Sequence, residues 1–252
     1  MEDPNSHVLG QQPVDRKKTA PLLSVVIPAY NEQDGVDEIL RRVAAVEIDK
    51  EIIVIDDCST DGTVDRIQQF SGKNPQVRLN LMVHQRNRGK TASVSNGLKT
   101  ARGRMVVIQD ADLEYDPRDF PRLIEPVLTG AADAVYGSRF MHKKMGPGLI
   151  TKLHRLVNRF LTFVSNLLTG LHLTDMETCY KVIRRDLLEG IEIKSTGFGF
   201  EVEITAKLAR KGAKIREIPV SYARRGYGAG KKIGARDGLA ALWWILRFAL
   251  SD

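Results

Sequence analysis

Residues 22–32 read LLSVVIPAYNE: an apolar run, β-branched in its middle, stopped by Pro28 and followed by a polar turn. So short an apolar run reads as a strand buried on both faces. The pattern returns at 51–55 (EIIVI, ending in Asp56-Asp57), 79–83, 105–108 (MVVI, ending at Gln109-Asp110) and 134–136, before Gly137-Ser138-Arg139. Amphipathic segments separate these runs. Val36, Ile39, Leu40 and Val43 have helical spacing, as do Val64 and Ile67 after the turn-and-cap cluster Ser59-Thr60-Asp61-Gly62. Residues 90–101 and 117–128 complete the set. Alternating strand and helix predicts an α/β protein: a doubly wound, mostly parallel central sheet with helices on both faces.

The back half is less regular. Residues 149–168 and 200–211 predict helices, 214–220 (KIREIPV) a strand, 222–232 a loop rich in Gly, Arg and Tyr, and 239–250 a short apolar helix. No linker interrupts the chain, so residues 22–252 read as a single domain behind a polar, flexible leader at 1–21. The 252 residues are 42% hydrophobic and 27% charged, which excludes low-complexity disorder and collagen. The two cysteines, Cys58 and Cys179, lie far apart and fit a reducing, cytoplasmic compartment rather than a disulfide framework. The longest uncharged stretch, 160–174, is too short and too polar to span a bilayer. Residues 1–138 hold 17 Lys/Arg against 21 Asp/Glu, a charge of −4, whereas the remainder carries +11. A basic back half suggests an anionic partner.

In open parallel sheets, ligands bind beyond the carboxyl ends of the strands. The polar residues of this chain collect there: Tyr30-Asn31-Glu32 after the first strand, Asp56-Asp57 after the second, Asp110-Ala111-Asp112-Leu113-Glu114 after the fourth. Any one carboxylate could cap a helix; three clusters at three strand ends point to a site. Asp110 and Asp112, with a small residue between, can face one hard cation such as Mg²⁺ or Mn²⁺, and Glu114 continues the alternation. Gly89-Lys90-Thr91 resembles the end of a phosphate-binding loop, but His84 stands where its first glycine belongs. A dinucleotide fingerprint is absent from the first turn.

Residues 22–32, 53–62 (IVIDDCSTDG), 86–97 (RNRGKTASVSNG), 109–114 (QDADLE) and 136–139 (YGSR) together resemble the family 2 glycosyltransferases of the GT-A fold. Within that family the chain is most similar to dolichol- or polyprenyl-phosphate sugar synthases, which move a hexose from a nucleotide-diphospho-sugar of the GDP-mannose or UDP-glucose type to a lipid phosphate. Residues 175–181 (DMETCYK), 197–203 (GFGFEVE) and 225–237 carry that narrower likeness. The resemblance implies that Pro28, Tyr30 and Glu32, with Ile55 and Asp57, flank the base and ribose. It implies that Asp110, Ala111 and Asp112 meet the diphosphate and its metal, with Glu114 where the family often has Gln. Arg139, Arg224, Arg225 and Lys231 would contact phosphates, although the synthases commonly show Gly-Glu-Ser-Lys where this chain has Gly228-Ala229-Gly230-Lys231.

Departure of a nucleoside diphosphate builds negative charge, which a divalent ion and Arg or Lys stabilise. Asp112 would thus be catalytic through the metal. A lipid phosphate is already ionised and attacks without a strong base; a hydroxyl acceptor needs one, and Asp175 and Glu177 are the available carboxylates. The helix at 149–168 has two readings. As a basic amphipathic helix it lies in the headgroup plane, making the protein peripheral at the inner face of the membrane; otherwise it packs on the sheet. Trp243 and Trp244 raise the same choice. The rivals are a transferase acting on a soluble or saccharide hydroxyl, and a basic nucleic-acid-binding module. The second leaves the acidic strand ends unexplained, and no nucleic-acid-binding motif is present.

Overall fold

The computed structural model describes residues 6–9, 20–141, 149–197, 199–223 and 235–250. Its strands are β1 (Ser6–Leu9), β2 (Leu23–Ala29), β3 (Lys50–Asp56), β4 (Leu79–His84), β5 (Met105–Ile108), β6 (Ala134–Ser138), β7 (Lys181–Arg184) and β8 (Ile215–Pro219). Its helices are α1 (Val36–Ala45), α2 (Thr63–Lys73), α3 (Lys90–Thr100), α4 (Phe120–Leu128), α5 (Leu149–Thr169), α6 (Phe200–Arg210) and α7 (Ala235–Leu250).

One sheet takes the order β1-β4-β3-β2-β5-β7-β6-β8. Strand β2 pairs in parallel with β3 on one side and β5 on the other. The chain therefore winds outward from β2 in one direction, through β3 to β4, and returns to wind the other way from β5. The crevice between β2 and β5 is the topological switch point, where such sheets bind ligands.

The apolar runs become strands because both faces are covered. Leu23, Val25 and Ile27 join the core under α1 and α4, while Val26 points the other way with Ile53, Ile55 and Val106 beneath α3. Two elements depart from the sequence reading. Ser6–Leu9 lies inside the polar leader yet forms an edge strand antiparallel to β4. Strand β7 falls in residues 175–181 and just beyond, read above as a motif without a secondary-structure assignment. It runs antiparallel between β5 and β6. Its first residue, Lys181, is wholly buried, so no apolar run marks it.

Helix α3 carries Lys90 to the ligand edge, and one glycine sets how closely it lies on the sheet. A Cβ on Gly97 would sit 2.4 Å from Val26 Cγ1 and 2.7 Å from Ile55 Cδ1. The better helix propensity of alanine is outweighed by that overlap. Gly97→Ala should cost about 1–3 kcal/mol through overpacking. Thermal unfolding should report it as a lower Tm, by about 2–4 °C per kcal/mol for a chain of this size. An unchanged or higher Tm would mean that α3 can lift from the sheet.

Candidate active site

Among the described residues three non-glycines adopt left-handed backbone: Asn31 (φ 54°), Cys58 (φ 63°) and Leu113 (φ 62°). They follow β2, β3 and β5 respectively, all at one edge of the sheet. Left-handed geometry is costly for a side chain such as leucine and persists where the surroundings impose it, typically at functional sites.

The first two turns are knitted together. Asn31 N–H donates to Ser59 Oγ at 2.9 Å, and Thr60 N–H donates to Asn31 Oδ1 at 2.8 Å. Glu32 N–H donates to Thr63 Oγ1 at 2.8 Å, and Gln33 Oε1 accepts from Gly62 N–H at 3.0 Å. Asp56 accepts from the Ser59 amide and hydroxyl, and Asp61 from those of Thr63. These carboxylates satisfy turn amides, as Asp side chains in turns commonly do. Tyr30 stands at the rim, 47% exposed, with its ring available for stacking.

Asp57 reaches further. Its Oδ1 accepts from Arg88 N–H at 2.8 Å and lies 2.7 Å from His84 Nδ1; its Oδ2 accepts from Gly89 N–H at 2.7 Å. Asn96 Nδ2 donates to His84 Nε2 at 3.0 Å, so the imidazole carries its proton on Nδ1, facing Asp57. Asp57 thus anchors the turn that starts α3, where Gly89 takes φ 85°.

That anchored turn aims Lys90 into the site. Its Nζ lies 2.8 Å from Asp110 Oδ1 and 3.2 Å from Glu201 Oε1. Burial works against the ammonium, but Asp110 and Glu201 outweigh it and hold its pKa well above the ordinary lysine value. On the next turn Asp112, Asp110 and Glu114 crowd together. Burial, then the charges of Asp110 and Glu114, push the Asp112 carboxyl up to about 7. Tyr222 Oη donates to Glu114 Oε2 at 2.5 Å.

Across the crevice, Arg139 grips Asp175 with two bonds of 2.7 Å from Nε and Nη2, and its own amide adds a third at 3.0 Å. Asp175 is fully buried. This pairing removes Asp175 as a ready base and leaves only part of the Arg139 guanidinium for phosphates. Glu177 is different. Among the described residues its Oε1 is buried without a hydrogen-bond partner, as is Glu201 Oε2. Burial, then the Glu201 charge, raises Glu177 to about 7.

The structure brings Tyr30, Glu32, Asp57, Asp110, Asp112 and Glu114 to one edge, with Pro28 half-buried beneath. Ile55 and Ala111 both bury their side chains in the core, Ile55 with Val26 and Met82, so each is left with its backbone to offer a ligand. Arg224, Arg225 and Lys231 lie outside the described residues. Lys90 and Glu201 were missed. The first was weighed only as a phosphate-loop remnant; the second sits in the buried first turn of α6, and an acidic residue inside the apolar GFGFEVE stretch was the available signal.

The raised Glu177 carboxyl has a consequence for stability. The unfolded chain ionises this group above its ordinary value of 4.5, whereas the folded chain keeps the proton until about 7. Its contribution is therefore present below about pH 4.5 and is lost as pH rises through 7. Glu177→Gln lacks that loss. The Tm of the variant relative to wild type should rise between pH 5 and pH 8, by about 2–4 °C for each kcal/mol relieved. A gap independent of pH would mean that Glu177 is ionised in the fold at pH 5.

Comparison with known proteins follows the same outline. The glycosyl transferase family 2 profile matches residues 24–191. An undecaprenyl-phosphate mannosyltransferase from Micrococcus luteus is 31% identical over 241 residues, covering 89% of this chain and 97% of the relative. A dolichol-phosphate mannosyltransferase from Pyrococcus furiosus is 30% identical over 84% of this chain, which spans 59% of that longer relative. Glucosyl-3-phosphoglycerate synthase from Mycobacterium tuberculosis, solved with Mg²⁺ and uridine diphosphate, superposes with a TM-score of 0.69 at 20% identity, over 92% of this chain and 80% of its own. A mannosyltransferase from Pyrobaculum calidifontis, solved with GDP-mannose and Mn²⁺, gives 0.59 at 20% identity, over 83% and 59%. These likenesses establish the GT-A architecture expected from residues 22–32, and with the profile match they place the chain in glycosyl transferase family 2.

Proposed function

We propose that this glycosyltransferase moves a hexose from a nucleoside-diphosphate sugar to a polyprenyl phosphate at the inner membrane surface, with Mg²⁺ or Mn²⁺ as cofactor and residues 22–252 working as one domain. The observation that carries the donor half is the acidic turn at the β2–β5 crevice. Three carboxylates crowd there on a strained Leu113 turn, and one is pushed to about 7 by burial first and then by its neighbours. Oxygen donors of this kind suit a hard divalent cation, and the repulsion among them is what such a cation relieves. Among the described residues no three His, Cys, Asp or Glu side chains are placed to hold an ion by themselves, so a cation here would need the substrate phosphates as further ligands.

Asp110 and Asp112 would hold the ion, with Glu114 beside them. Once bound, the ion supplies charge neutralisation at the leaving diphosphate. The chain's own residues do the rest. Tyr30 offers a ring to the base, and Asp57 a carboxylate to a base N–H. Lys90, kept charged by Asp110 and Glu201, adds positive charge where the diphosphate departs. Arg224, Arg225 and Lys231 are the further cations proposed for the phosphates. Asp112→Asn should lower kcat/KM for transfer by at least about 100-fold while leaving the Tm at or above that of wild type. Full turnover in that variant, or in excess EDTA, would remove the metal from the reading.

The acceptor half rests on helix α5. Its polar Thr162 and Ser165 are buried, while Leu156, Phe160, Phe163 and Leu167 are 65%, 54%, 63% and 73% exposed. The inward polar groups are satisfied: Thr162 Oγ1 accepts from Met176 N–H, and Asn166 bonds both the N–H and C=O of Leu173. The sequence left core packing and membrane contact open for this helix, and core packing of Phe160 and Phe163 is overturned by their exposure. Exposed Trp243 and Leu246 of α7 add to the apolar surface, and Arg159 and Arg247 stand on it exposed. No helix among the described residues is long and apolar enough to cross a membrane. An apolar face with basic residues fits a helix lying among anionic headgroups. A hydroxyl acceptor is the second reading, favoured by the unpartnered Glu177 carboxylate as its base.

The double change Phe160→Ser, Phe163→Ser should weaken binding to anionic liposomes on the order of 10- to 100-fold, and lipid-phosphate transfer should fall with it. Because both rings are exposed, the Tm should shift by no more than that of an ordinary surface change, about 0.5 kcal/mol each. Donor binding should survive. A wild type that ignores anionic liposomes at low salt would move the acceptor to a soluble hydroxyl.

A further inference from the structure

The stretch leaving β8 is fastened to the acidic turn and to residues around it. Ser221 N–H donates to Asp119 Oδ2 at 2.7 Å, and Ala223 N–H donates to the Glu114 carbonyl at 2.8 Å. Between them Tyr222 forms an antiparallel bridge with Tyr115, and the two rings meet edge to face at 5.2 Å. The Arg139 guanidinium lies 5.5 Å from the Tyr222 ring centroid. These tethers fix the phenol, whose hydroxyl donates to Glu114 Oε2 at 2.5 Å.

A glutamate side chain has three free torsions, and ordering it on binding an ion costs conformational entropy. Residues that hydrogen-bond to a ligating carboxylate remove that cost in advance and set which oxygen faces the ion. We propose that Tyr222 is a positioning residue for Glu114, fixing which carboxylate oxygen faces the acidic turn where Asp110 and Asp112 would hold the divalent cation. The inference rests on the metal-dependent reading above and adds a residue more than 100 positions away in sequence to that site. Tyr222 does not touch the reacting atoms; it acts through Glu114.

The test is a titration of the whole chain with Mn²⁺, following the free-ion signal by electron paramagnetic resonance, without nucleotide and with UDP or GDP. Tyr222→Phe keeps the ring stacked on Tyr115 and removes the hydroxyl. It should raise the Mn²⁺ Kd about 10-fold, the low end of the range for such partners, with the Tm preserved. Glu114→Gln should lose at least as much, and Tyr222→Phe should add nothing in that background. Glu114→Asp retains the charge but withdraws it from the phenol, so it should lose affinity too, independently of how Tyr222→Phe folds. Wild-type Mn²⁺ affinity in Tyr222→Phe or in Glu114→Asp overturns the role of Tyr222. Additive losses in the double variant overturn it as well, since Tyr222 would then act elsewhere. Asp112→Asn separates the two levels. If it abolishes Mn²⁺ binding while Tyr222→Phe does not weaken it, the metal site stands and the positioning role falls. If wild type binds no Mn²⁺ under any of the three conditions, both fall.

Discussion

Parallel pairing on both sides of β2 is the constraint from which the rest follows. A strand with parallel neighbours left and right must be covered on both faces, because each crossover lays a helix on the sheet. Its backbone polar groups are consumed by the ladder, and its side chains are consumed by the two cores. The place left for chemistry is the end of the strand. Since β3 and β5 leave β2 in opposite directions, the turns after these strands diverge and open a crevice between them. The strained residues Asn31, Cys58 and Leu113 sit in these turns, where the chain must change direction quickly while still presenting polar groups.

Acidic residues on that edge divide into two kinds by what their oxygens meet. Asp56 and Asp61 face turn amides and hydroxyls, and their work is done within the loop. Asp57 is intermediate: it reaches out of its own loop to organise the turn that begins α3. Asp110 pairs with Lys90, while Asp112, which accepts from the Glu114 amide, is raised by burial and then by the charges of Asp110 and Glu114. Against burial, bonds from Thr63 and Gln33 hold Asp61 below the ordinary carboxylate range, whereas burial raises both Asp56 and Asp112.

The fold was legible where periodicity is the cause of structure. The runs at 22–27, 51–55 and 105–108 became β2, β3 and β5 because a doubly covered strand tolerates little but apolar side chains. Strand β7 was not legible as a strand, because its buried Lys181 is satisfied by the Met176 and Thr178 carbonyls and by the Tyr136 ring, none of which a local pattern reveals. The acidic turns were legible for the same reason as the strands they end. Glu201 was not, since its partner Lys90 is 111 residues away. A motif gives a position along the chain but not its burial: Ile55 lies inside β3 and packs with Val26 and Met82, whereas Asp57 lies just past the strand end. The orientation of α5 was undecidable from its pattern alone. Both of its faces can be buried in principle, and only the needs of residues 173–176 decide which one is.

Those needs also tie the two halves of the proposed reaction together. Thr162 and Asn166 turn inward beside the buried Leu161 and satisfy the backbone groups of Leu173 and Met176, each of which would cost about 1–3 kcal/mol if buried and left unpaired. The segment they hold continues directly into Asp175 and Glu177, the carboxylates that face Arg139 and Glu201. One side of α5 therefore supports the acceptor wall of the crevice while the other presents Phe160 and Phe163 outward. A phosphate carried on a lipid that rests against the outer face is separated from that wall by about one helix diameter, roughly 10–12 Å. A soluble acceptor would gain nothing from an apolar exterior there. The inverted helix is thus the structural feature that makes a membrane-held acceptor the more economical reading of this site.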